Sequence, residues 1–308
     1  MAREAWVRAA TIEEFGRETI PALAMAPVAN TQLLTVFDRL RREGPRAFGE
    51  RDPQLLTWYG PHGTVEAALL RTPPHPYIVA GEPGPAGLAA LAGLLLDPAS
   101  GLDGTEINLP ATGQAAFTQA WTARAGRPPR ETERDRLYRL AELRYPEPMP
   151  PGRARLAAPA DLPVVVRFLA EFWIQAERVA PREVAMIAQR TGASRIAEGD
   201  FLLWLDAAGQ PVSSAGCTPI VAGSGRIGPV YTPPGLRGRG YAGAVTAAAG
   251  RLLLDRGAAQ VLLFADLANR TSNALYQRIG YRAVSDRVRM DLRDRPGAEP
   301  PAGPHPPS

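Results

Sequence analysis

The chain has 308 residues, an apolar fraction of 45% and a formal net charge of +4, enough for two domains of ordinary size with real cores. All 35 basic residues are arginine and are scattered through both halves, with no basic run interleaved with aromatics of the kind that grips a nucleic acid. The single cysteine, Cys217, excludes an internal disulfide and a cysteine-based metal site, and His62, His75 and His305 are too far apart for a ligand-spaced cluster, so no metal is expected.

Met1 to Gly16 carries Glu4, Glu13 and Glu14 without a continuous apolar stretch, unlike a signal peptide. The longest apolar run, Ala86 to Leu96, is interrupted by Gly87 and Gly93 and is too short to span a bilayer. It reads as a buried element of a cytoplasmic protein that works without a membrane.

Residues 1–30 alternate short helical patterns with Pro21 and Pro27. Thr31 to Arg42 is an amphipathic helix that Gly44-Pro45 ends. Gln54–Tyr59 and Tyr77–Ala80 are strand-like, Thr64–Leu70 between them reads as a short helix, and Gly81-Glu-Pro-Gly-Pro85 as a Pro-rich turn that does not open a helix. Ile107–Leu109 is a strand candidate, Gly113–Ala125 a helix carrying Phe117 and Trp121, and Arg136–Leu140 alternates like a strand. No chemistry-bearing pattern stands out in this half.

Pro146-Glu-Pro-Met-Pro-Pro-Gly152 is the clearest linker. It divides the chain into a mixed α/β domain over 1–145, the linker 146–152 and a second domain over 153–292. A Pro/Gly-rich tail over 293–308 is expected to be disordered. The second domain opens with a strand at Arg153–Leu156 and a helix from Leu162, with Asp161 as its N-cap and Pro163 in its first turn. A helix over Arg182–Arg190 follows, then strands at Phe201–Leu205, Val212–Thr218 and Arg226–Thr232, antiparallel because their connections are short. Gln260–Asp266 is a buried strand, Asn269–Ile279 a helix closed by Gly280, and Tyr281–Leu292 holds one or two more strands.

Between the third of those strands and a helical run with Tyr241, Val245, Ala248, Ala249, Leu252 and Leu253 in register lies Thr232-Pro-Pro-Gly-Leu-Arg-Gly-Arg-Gly-Tyr-Ala242. A strand, a Gly-rich turn and a helix start make an anion site, because first-turn amides lack intrahelical acceptors and the dipole favours negative charge. Gly238 and Gly240 allow close backbone approach, and Arg237 and Arg239 add cations suited to phosphate oxygens.

Arg237-Gly-Arg-Gly-Tyr-Ala242 resembles the Arg/Gln-x-x-Gly-x-Gly/Ala pattern of the GNAT superfamily, the acyl-CoA-dependent N-acyltransferases. Asn269-Arg-Thr-Ser-Asn-Ala-Leu-Tyr-Gln-Arg-Ile-Gly-Tyr281 is similar to that family's second motif, and the likeness covers about residues 153–292. It implies a mixed, mostly antiparallel sheet flanked by helices (an α/β fold of the α+β type); the N-terminal half, a mixed α/β domain of similar size, is expected by that parallel to be a degenerate copy. It also implies acetyl-CoA as co-substrate: the loop Arg237, Gly238, Arg239, Gly240, Tyr241 and Ala242 on the pyrophosphate, and Val230, Tyr231 and Thr232 pairing with the pantetheine arm on a strand splayed from its neighbour. Tyr276 stands where the family often carries the acid that protonates the departing thiolate; a core tyrosine is the other reading. Asn269 stands where the family contacts the pantetheine arm, and it also suits a helix N-cap. The expected function is acetyl transfer to a primary amine of a small molecule, peptide or protein by direct attack, the alternative a non-catalytic acyl-CoA-binding module. Glu171, Glu177 and Asp266 are the nearest candidates for a general base. Cys217, Phe172, Trp173 and Trp204 read as core, and Arg278 and Arg282 as solvated.

Overall fold

The computed structural model describes residues 4–176 and 181–293; the expected tail beyond Arg293 and the candidate base Glu177 lie outside them. In the first half the elements are β1 (Ala5–Arg8), α1 (Ile12–Glu18), α2 (Ile20–Ala24), α3 (Thr31–Glu43), β2 (Gln54–Tyr59), β3 (Val65–Arg71), β4 (Tyr77–Gly81), α4 (Gly84–Leu96), β5 (Glu106–Pro110), α5 (Gln114–Ala125) and β6 (Arg130–Leu140). The second half has β7 (Arg153–Leu156), α6 (Leu162–Ala176), α7 (Pro181–Ala197), β8 (Phe201–Leu205), β9 (Pro211–Cys217), β10 (Ser224–Tyr231), α8 (Tyr241–Asp255), β11 (Gln260–Asp266), α9 (Arg270–Arg278) and β12 (Tyr281–Asp291). Among the described residues no helix is long and apolar enough to cross a membrane.

Three readings of the sequence are corrected. Thr64–Leu70 forms strand β3, not a helix: its Glu, Ala and Leu are good helix formers, but Leu56 pairs with Leu69 and both Leu69 and Leu70 are fully buried. Pairing on both edges and cover on both faces outweigh a propensity of a few tenths of a kcal/mol per residue. The turn at Gly81–Pro85 does open a helix, since α4 starts at Gly84. Asp161 lies in a 3-10 turn ahead of α6, where its carboxylate accepts from the Ala158 amide at 2.7 Å and from Arg155; it fixes the entry to the helix and does not cap its first turn.

The twelve strands of the described residues belong to one sheet, in the order β1-β2-β3-β4-β5-β12-β6-β11-β10-β9-β8-β7. From either edge inward the pattern is the same. Three antiparallel pairs are followed by a parallel pair, β4 with β5 or β10 with β11. One long antiparallel strand completes each half, and here the halves exchange: β12 pairs with β5, and β6 pairs with β11. At the centre β6 and β12 pair with each other, Arg136 facing Asp286 at 2.8 Å. The linker 146–152 thus joins β6 to β7 without interrupting the sheet.

The helices lie in two layers. On one face, α8 and α9 close a core around Tyr138, Ile227, Val245, Leu263, Ala265, Tyr276 and Tyr281, and the corresponding α4 and α5 close another around Leu109, Phe117, Trp121, Val288 and Met290. On the other face, α1 to α3 cover the first half, while α6 and α7 cover the second. There Arg42 of α3 lies 3.8 Å from Glu198, just past the end of α7.

Candidate functional site

β10 hydrogen-bonds to β11 only from Ser224 to Ile227, whose last partner is Leu263. Beyond that point β10 shifts register against β9 and continues as Val230 opposite Ala215 and Tyr231 opposite Ser214. Phe264 to Asp266 of β11 pair only with β6 on their other side. The two strands therefore part, leaving unpaired backbone edges on Val230 and Tyr231 and on β11. The parting is braced by Arg195 of α7, which donates to the carbonyls of Gly228 at 2.9 Å and Cys217 at 3.1 Å. Cys217 itself is core: burial pushes its thiol up to about 12.

At the open end the chain turns through residues 232–240 into α8. Gly238 and Gly240 have φ of +76° and +82°, left-handed values that favour glycine. No side chain crowds Gly238, and Gly240 has only Pro150 nearby at 3.6 Å. Among the described residues no acceptor takes the N–H groups of residues 238–243. A run of free amides at the start of a fifteen-residue helix fits an anionic group, and the space that a Cβ would fill is open.

The predicted loop cations behave differently from one another. The Arg237 guanidinium is turned back, donating to the Thr232 carbonyl at 3.0 Å and to Gln175 of α6 at 2.8 Å, so it holds the loop in shape. Arg239 is exposed, with only a 3.4 Å contact to the Gly235 carbonyl. Thr232 is buried and bonded to Ser213 at 2.8 Å. Tyr241 sits in the core, and the phenol of Tyr231 leaves the cleft to stack on Phe168 and to accept from Gln175. At Tyr231 only the backbone is available to a ligand.

Tyr276 lies on α9 within the same buried cluster as Ile227 and Ala265, between the rings of Tyr138 and Tyr281. Burial pushes its phenol up to about 12. Asn269 caps α9, its side chain accepting from Ser272 N at 3.0 Å. Of the candidate bases, Glu171 lies by Tyr231, whose phenol is pushed up by burial and then by that carboxylate, and the exposed Asp266 carboxylate accepts from Ala268 N at 2.8 Å, closing the turn into α9.

Two residues escaped the sequence reading. Asn273 is a buried hub: it donates to the carbonyls of Asp266 and Asn269 at 2.8 Å each and accepts from Tyr138 at 2.8 Å, tying α9 to β6. Asp135 lies on β6 between Asp266 of β11 and Arg287 of β12. Side chains alternate along a strand, so Asp135 faces away from Tyr138, toward the α3 and α7 layer. Burial, then the neighbouring Glu133, pushes its carboxyl up to about 7. The run of acids at Glu131, Glu133 and Asp135, every second residue, was the available signal.

The first half has a counterpart of this site without its openings. β4 leaves β5 after Ile78 pairs with Asn108, but Arg287 of β12 fills the parting, donating to the Val79 carbonyl at 2.7 Å and to the side chain of Asn108 at 2.7 Å. The turn into α4 contains Pro83 and Pro85, which have no N–H to offer. Among the described residues there is no cluster of three or more metal-ligating side chains.

The sequence model of the FR47-like proteins matches residues 215–290. No curated protein matches the sequence. Among solved structures, a Drosophila protein from a structural genomics programme is similar over 94% of this chain and 99% of its own, at 14% identity and a TM-score of 0.63. A GCN5-related N-acetyltransferase from Sphaerobacter thermophilus covers 96% of this chain and 97% of its own, at 19% identity and 0.57. A tandem GNAT protein from the clavulanic acid biosynthesis pathway covers 96% and 100%, at 13% identity and 0.56. The chain has a GNAT-type fold, and the two-part description of its sheet fits a tandem arrangement.

Proposed function

We propose that the protein is an N-acetyltransferase that moves an acetyl group from acetyl-CoA to a primary amine by direct attack, without nucleic acid or membrane as partner. The observation that carries this reading is the junction of a strand parting with a cradle of free amides. β10 separates from β11 after Ile227 and runs on into the unaccepted N–H groups of residues 238–243. The amides suit a pyrophosphate, and the unpaired edge at Val230 and Tyr231 suits an amide-bearing arm lying along it. An exposed Arg239 adds attraction for phosphate. A backbone N–H near the bulge would donate to the thioester oxygen as charge develops on it.

Tyr276 is the donor on the α8 and α9 face. Full transfer from a phenol at about 12 to a thiolate with a conjugate acid near ~8.5 is uphill by about 5 kcal/mol. Its role is therefore to hydrogen-bond the sulfur as charge builds, the proton moving as the bond breaks.

The test measures acetyl-CoA affinity by calorimetry, then thiol release with a panel of amines. Micromolar binding with amine-dependent release supports acetyl transfer. Binding with no release from any amine points to a non-catalytic module, and absence of binding rejects the site.

A further inference from the structure

An attacking amine must lose a proton, and of the described second-half candidates Asp266 accepts from the turn at Ala268 while Glu171 lies by the Tyr231 phenol, which leaves the cleft. We infer that the proton acceptor is Asp135, delivered on β6 by the first half into the cleft of the second; this rests on the acetyl-transfer reading above.

β6 is the direct neighbour of β11, whose other edge borders the parting. Asp135 pairs with Asp266, three residues past Leu263, where the parting begins. The open stretch of β11 runs from Phe264 to Asp266, so one strand width of ~4.8 Å separates Asp135 from the edge of the parting. Its side chain faces the layer of α3 and α7, whereas Tyr276 belongs to the layer of α8 and α9. Base and acid thus stand on opposite faces of the sheet. An amine arriving from one face and a sulfur leaving toward the other need that division.

The carboxyl is half-buried, and among the described residues no hydrogen bond reaches it. The charged groups facing it are Glu133 on its own strand, Asp266 on β11, and Arg287 and Arg289 on β12. Arg289 is paired with Glu133 at 3.0 Å, and Arg287 is held by Asn108. From the neighbouring elements, Arg195 of α7 acts on Arg226 of β10, and Arg39 of α3 acts on His75. Neither cation neutralises Asp135, which is left a basic carboxylate.

In the step, the amine lone pair forms the C–N bond to the acetyl carbon and its N–H proton passes to an Asp135 oxygen, directly or across a water. The C–S bond breaks, sulfur keeps the electron pair, and the Tyr276 hydroxyl supplies its proton. Both side chains then return to their starting states by exchange with solvent.

The test follows thiol release from acetyl-CoA between pH 5 and 9 with diamines, amino sugars, amino acids and short peptides, for wild type, Asp135→Asn and Asp266→Asn. Wild-type turnover should rise through about pH 7, as the carboxyl ionises. Asp135→Asn should lower it ~10²-fold and remove that rise, with acetyl-CoA affinity unchanged. The variant should also fold: an Asn removes a half-buried charge, so it should melt above wild type at pH 8, the gap closing toward pH 4. The inference fails if Asp135→Asn keeps the wild-type rate and pH profile, if the rise disappears with Asp266→Asn instead, or if acetyl-CoA binds and no amine releases thiol. A wild-type protein that does not bind acetyl-CoA overturns the acetyl-transfer reading itself.

Discussion

Gly240 combines a left-handed backbone, free amides on either side and open space at its Cα. Gly240→Glu places a carboxylate where a pyrophosphate would lie and strains φ by about 1 kcal/mol besides. Coenzyme A affinity should fall at least ~100-fold by calorimetry, with the melting temperature little changed; unchanged affinity would reject the phosphate assignment. At Tyr276, removing the hydroxyl should cost turnover ~10²-fold and leave acetyl-CoA affinity within about twofold, whereas equal loss of both would mark a packing residue. The loop and Tyr276 stand out as candidates because each belongs to a local pattern of a few consecutive residues. Asp135 does not, because what sets it apart from the other acids of its run is burial between β11 and β12, more than a hundred residues away in the chain.

Among the elements, β10 carries the site, and its departure from β11 depends on what braces it. Gly216 of β9 is the tight point: a Cβ there would lie 2.1 Å from the Arg195 guanidinium and 3.0 Å from the Gly228 carbonyl. Gly216→Ala should therefore dislodge Arg195 and leave the carbonyls of Gly228 and Cys217 without their donor. A loss of about 1–3 kcal/mol in urea unfolding is expected, with weaker acetyl-CoA binding. A variant with wild-type stability and affinity would show that Arg195 braces nothing. Most elements could be read from periodicity and punctuation, as α3, α5, β8 and α9 illustrate. β3 could not, since strand pairing decided it, and the length of β6 was missed because its first six residues, Arg130 to Asp135, are all charged or polar and show no apolar alternation.

At the scale of the whole molecule, the Pro-rich segment 146–152 looks like a domain boundary in sequence, yet the hydrogen bonds ignore it. Sequence patterns announce strands; they carry little information about which strand lies alongside. Because β6 sits between β11 and β12, and β12 between β5 and β6, neither half can complete its own sheet. Residues 1–151 or 152–308 expressed alone should be insoluble or unfolded by circular dichroism, while the two pieces expressed together should form a complex that binds acetyl-CoA. The intact chain should unfold in one transition by calorimetry. A stable, monomeric isolated half would refute the coupling.

The exchanged strand also sets a timetable for the chain as it is made. β5 is finished at Pro110, but the neighbour that covers its edge begins only at Tyr281. At ~5–20 residues per second, that leaves a bare strand edge on the ribosome for roughly 10–40 s. During that wait the nascent first half is exposed to chaperones and to other nascent chains. Premature termination anywhere before β12 would spoil both halves at once, so quality control of this protein hinges on that strand.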